Sequence, residues 1–132
     1  MKQKFYYIQR NLQFFPAIHL KLREPKIAMT AEALIDSGAS FSIFRPEIAE
    51  YLGIQIEKGK QVYLEGIGGR ILGYIHEVSV SIDKCNFFKC KIVFSREFHV
   101  SFNLLGRDNF FKQFIISFHE KDQNVVIENN VN

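Results

Sequence analysis

Residues Ala17 to Leu22 set Ile18, Leu20 and Leu22 against Ala17, His19 and Lys21. A period of two marks a half-buried strand, because successive side chains of an extended chain point to opposite faces. The rhythm returns at residues 76–82, where Val78, Val80 and Ile82 alternate with Ser79 and Ser81, and at 87–94, where Cys90, Ile92 and Phe94 share a face. Residues 26–35 run from a Glu24-Pro25 break into an apolar stretch, and 61–75 read as two strands meeting at a glycine-rich tip. Asp83 to Asn86 supplies a turn, and 114–128 a last hairpin turning near Lys121 to Asn124. So many one-faced strands must pack onto one another to cover their apolar sides. Helical spacing is confined to two short segments. Pro46 stands at a first helical position ahead of Ile48, Ala49 and Leu52, with Gly53 as the stop. Residues 107–114 form the second, with Asp108 as its N-cap. The expected fold class is mainly β, with one or two short helices in a single domain over residues 1–132.

Composition narrows the function classes. The 132 residues are 47% hydrophobic, with 14 Phe and no Trp, which is a globular balance. The formal net charge is only +3, and Lys and Arg are scattered among acids. A phosphate-gripping block is absent, as is a stacking platform interleaved with basic residues, so no nucleic-acid partner is expected. The apolar runs all fall short of the roughly 18 residues of a membrane span, and the first twenty residues lack a signal-type apolar core. No membrane partner and a cytoplasmic location are therefore expected. Cys85 and Cys90 make no disulfide framework and read as free thiols. With His99 and His119 they match no zinc spacing, so neither metal nor cofactor is expected.

Three motifs follow in order. In Leu34-Ile35-Asp36-Ser37-Gly38-Ala39-Ser40 an apolar strand delivers an acid into a tight turn. Taken alone, Asp-Ser-Gly is common turn chemistry. Gly66-Ile67-Gly68-Gly69 places an apolar residue at a glycine-hinged hairpin tip, which suits a lid closing over a ligand. Asn103-Leu104-Leu105-Gly106-Arg107-Asp108 sets two apolar residues before a glycine and a short helix.

Together the three resemble the retropepsin-like aspartic proteases, in the cellular or bacterial branch, over residues 16–128. The resemblance implies a closed, barrel-like retropepsin (acid protease) fold assembled as a homodimer. It implies Asp36 as the catalytic residue and Ser37, Gly38 and Ala39 as support for the active-site loop. Gly66, Ile67, Gly68 and Gly69 would be the flap over a peptide substrate. Leu105, Gly106 and Arg107 would brace the loop from behind. Viral members carry an acid shortly after the alanine that pairs with the arginine, whereas this chain has Ser40 and Phe41, leaving the partner of Arg107 open. The chain has one Asp-Ser/Thr-Gly triplet, while the chemistry needs two carboxylates around one water. A two-fold pair of chains would supply both. The start at Met1 leads to the expectation of a stand-alone aspartic endopeptidase. The alternative is a non-catalytic dimerisation or peptide-binding module on the same fold.

Overall fold

The computed structural model describes residues 2–66, 69–83 and 85–130. Ile67 and Gly68 of the expected flap tip, and Lys84 of the expected turn, lie outside the described residues.

Seven strands make the main sheet. They are β4 (Ala17–Glu24), β5 (Ile27–Ile35), β6 (Ser42–Phe44), β7 (Lys60–Gly66), β8 (Gly69–Ile82), β9 (Phe88–Phe94) and β10 (Asn103–Leu105). Their order is β4-β5-β10-β6-β9-β8-β7, and an additional β4–β8 pairing closes the first six into a barrel. The first strand expected within 61–75 is β7, and the second is joined with the strand expected at 76–82 in one 14-residue β8. Its first half pairs with β7 and its last residues with β4, while β9 runs along the middle. Ser81, on the polar side of the alternation, is buried where β8 is flanked by other chain, and its hydroxyl donates to the Cys85 carbonyl at 2.7 Å.

The barrel core holds the residues that the alternation marked: Ile18, Leu20, Leu22, Val78, Val80 and Ile82 are all buried. Cys90, Ile92 and Phe94 join them from β9. The first helix, α1 (Pro46–Leu52), starts at its proline and ends on Gly53 in the left-handed region (φ 75°), and it buries Ile48, Ala49 and Leu52. The second, α2 (Phe110–Gln113), is a single turn. Its N-cap is Asn109 rather than Asp108, without a side-chain capping bond; Asp108 pairs instead with Lys112 at 3.4 Å.

Sequence reading gave the first fifteen residues no elements, yet they form β1 (Lys2–Tyr6), β2 (Ile8–Arg10) and β3 (Gln13–Phe15). The β2–β3 hairpin is a sheet of its own, turning at Asn11 and Leu12 with positive φ. The final hairpin is β11 (Phe114–His119) and β12 (Asn124–Asn129), turning at residues 120–123. With β1 it forms a three-stranded sheet ordered β1-β12-β11. Tyr7, next to β1, donates its hydroxyl to Glu120 at 2.9 Å. Burial, and then Glu120, push that phenol up to about 12.

Candidate active site

Strand β10 enters between β5 and β6, parallel to the first and antiparallel to the second. The chain that links β5 to β6, residues 36–41, must therefore arch over the end of β10. Backbone hydrogen bonds fix the arch at each side. The Asp36 N–H donates to the Leu105 carbonyl at 3.0 Å, the Arg107 N–H to Ala39 at 2.9 Å, and the Asp108 N–H to Ser40 at 2.8 Å.

Gly106 sits where the two segments press together. A Cβ there would run into the carbonyl of Phe41 and come within 2.9 Å of the Ala39 oxygen, so only glycine allows this approach. Its N–H donates to the hydroxyl of the fully buried Ser42 at 3.0 Å. Leu105 is also fully buried. The third motif thus lies directly behind the first, although the three backbone bonds that join them span 68 or 69 positions of sequence.

Within the arch, one oxygen of Asp36 (Oδ1) accepts from the Gly38 N–H at 2.9 Å, and its own carbonyl accepts from the Ala39 N–H at 3.1 Å. Both bonds hold the carboxylate against the turn. Asp36 is half-buried and has no ion pair among the described residues. Ser37 and Gly38 are exposed at the crest of the turn and Ala39 is half-buried. A carboxylate partly open to solvent on a rigid turn can take a proton from water if a second acid group faces it.

The open question of Arg107 has an answer. Its guanidinium donates to the Ser40 hydroxyl at 3.1 Å, so the residue that departs from the viral pattern occupies the acceptor's place. A neutral acceptor makes a weaker bond than a carboxylate would. Beside Asp36, half-buried Leu34 is in register with Leu104, and Leu104 with Ile43. These three aliphatic side chains form a shelf on one face of the sheet; Leu34 and Leu104 stand inside the motifs read from the sequence, whereas Ile43 was not singled out. Half-buried leucines next to an acid were the shelf's only signal, and burial is not written in the sequence.

Gly66 and Gly69, the described ends of the expected flap, face each other in the β7–β8 register. Gly69 has φ of 113° and Gly66 has open space around it. Along this hairpin the Arg70 guanidinium lies 4.0 Å over the Tyr63 ring. A groove of about 680 Å³ elsewhere on the chain does not touch residues 36–40. Among the described residues no cluster of three or more His, Cys, Asp or Glu could hold a metal ion. Cys90 is buried and Cys85 half-buried, both as free thiols.

A sequence model of the aspartyl protease family matches residues 28–109. The fold is similar to that of a retropepsin-like aspartic protease from Rickettsia conorii, with a TM-score of 0.71 at 19% identity over 96% of this chain and 98% of that one. It is also similar to EIAV protease in complex with an inhibitor, with a TM-score of 0.56 at 19% identity over 76% of this chain and 89% of that one. None of the curated proteins matches the chain.

Proposed function

The chain belongs to the retropepsin-like aspartic protease family, and on that premise we propose that it is an aspartic endopeptidase acting as a homodimer. The observation that carries the reading is the Asp36 turn, held to residues 105–108 by backbone bonds and closed from behind by Gly106. Such a mounting keeps a carboxylate in one orientation, as preorganised chemistry requires.

Each chain contributes Asp36, and the two carboxylates share one proton because like charges so close cannot both ionise. The ionised member takes a proton from water, and the protonated member donates to the scissile carbonyl. The pair titrates as a unit. Ser37 braces the two loops across the two-fold axis, and Gly38 and Ala39 offer main-chain groups to the substrate. The shelf of Leu34, Ile43 and Leu104 receives apolar side chains near the scissile bond. The hairpin from Gly66 through Ile67 and Gly68 to Gly69 closes over an extended peptide. Leu105, Gly106 and Arg107 support the loop. The sheet β1-β12-β11 exposes Ile115 and Phe118 on β11, which supports it as the contact between chains.

A peptide-library digest by the wild type beside Asp36→Asn tests the reading. Cleavage by the wild type and its loss in Asp36→Asn are expected. Cleavage that survives in Asp36→Asn refutes the assignment. Peptide binding and dimerisation without any cleavage by the wild type would favour the non-catalytic module.

A further inference from the structure

The 680 Å³ groove has β5 from Met29 to Glu32 as one wall. Facing it are the start of α1, the β2–β3 hairpin and residues Ser101 to Asn103. The two edges of β5 are paired unequally. On one, β4 is in register from Ile27 to Leu34 without a bulge. On the other, β10 reaches only Ala33 to Ile35. Among the described residues no strand covers Ala28 to Glu32 on that second edge.

Alternation tells which backbone groups are left over. The Ile35 N–H points to the β4 side, where it donates to Pro16 at 2.8 Å. The Asp36 N–H and the Glu32 carbonyl point to the β10 side, where they meet the Leu105 carbonyl and the Asn103 amide. Ala28 and Thr30 share the parity of Glu32, so both direct their N–H and C=O at the open edge. Both residues are exposed. Natural edges are usually blunted by lysine, proline or a bulge, and these two positions have none of them.

The rest of the groove shows what it would take. Arg10 pairs with Glu32 at 2.6 Å and Arg45 with Glu47 at 3.1 Å, so its charges are already matched within the chain. The half-buried rings of Phe15 and Phe102 lie 5.1 Å apart on the facing wall. Main-chain hydrogen bonding at strand spacing and an aromatic surface are what remain unmet. Only another extended backbone with an apolar side chain matches both.

We propose that the open edge of β5 is a second polypeptide-binding site, at which an extended segment of the protein substrate adds as a strand along Ala28 to Glu32 and seats an apolar side chain on Phe15 and Phe102. The identity of the occupant rests on the endopeptidase reading. Along β5, Thr30 stands about 20 Å from Asp36, so a short peptide held at the cleavage site does not reach it and a long unfolded one does.

Amide exchange of the Asp36→Asn protein, read residue by residue by NMR, tests the edge, with reduced and carboxymethylated α-lactalbumin as the probe. Ala28 and Thr30 amides should exchange fast in the free protein and slow by about tenfold or more with saturating probe. Met29 and Ala31, bonded to β4, should be slow throughout. Unchanged rates at Ala28 and Thr30 with probe bound, or no binding of the probe, overturn the proposal. Protection that grows with protein concentration in the absence of probe assigns the edge to a second copy of the chain and also overturns it. In the active protein, Thr30→Pro should raise KM for the probe about fivefold, leave kcat in place, and leave cleavage of a peptide of about eight residues unchanged. Equal effects on both substrates count against the edge. The amide measurement decides alone if Thr30→Pro does not fold. If the wild type cleaves neither substrate, the endopeptidase reading fails while the amide measurement still decides the edge.

Discussion

Gly106→Ala would place a methyl against two backbone carbonyls, those of Phe41 and Ala39, neither of which can rotate away. The expected cost is about 1–3 kcal/mol from overpacking, read as a lower urea midpoint, with loss of peptidase activity as the arch shifts. Exposed Arg107 and Ser40 show the reverse situation, a contact at the rim with space around it. Cys90 offers a separate check on burial. Its thiol is pushed up to about 12, chiefly by burial, so almost none of it is thiolate at pH 8. A disulfide reagent at that pH should leave Cys90 unmodified in the native protein and reach it after denaturation. Half-buried Cys85, raised less, should react first.

Among the elements, those with a local cause were legible in the sequence. Ile18, Leu20 and Leu22 announce β4 by period alone, and Pro46 with Gly53 brackets α1 within one residue. The elements without a local cause were not. β1 exists because it pairs with β12 at the far end of the chain, and the β2–β3 hairpin turns on Asn11 and Leu12, without glycine. Asn103 was read only as the start of a motif. Its buried side chain accepts from the Arg45 N–H at 2.8 Å and donates to the Glu32 carbonyl at 2.9 Å, joining the start of α1 to β5. Asn103→Ala would strand both backbone groups. A loss of about 2–3 kcal/mol is expected by urea denaturation, larger than deletion of an exposed amide would give.

For the whole molecule, the decisive property is that one chain holds one Asp-Ser-Gly. Specific activity should fall on dilution through the dimer dissociation range, measured by fluorogenic peptide cleavage beside sedimentation. Activity that stays constant well below that range would place the whole site in one chain. The rate should also peak under acidic to near-neutral conditions and decline once both carboxylates ionise, and a rate still rising into alkaline pH would exclude a shared proton. The order of the motifs, their glycines and the single Asp-Ser-Gly triplet were readable in advance. The unpaired edge of β5 was not, because it depends on where β10 stops.

The position of β10 also sets a clock. Asn103 meets Glu32 across 71 residues of sequence, and the bonds that hold the arch over Gly106 join segments nearly as far apart. Contacts between such distant segments form slowly, because loop-closure entropy is lost before any packing is gained. During synthesis the Asp36 turn therefore has no floor until residues 103–108 have been made. A ribosome-bound chain ending before residue 103 carries Asp36 without the segment whose backbone bonds hold its turn.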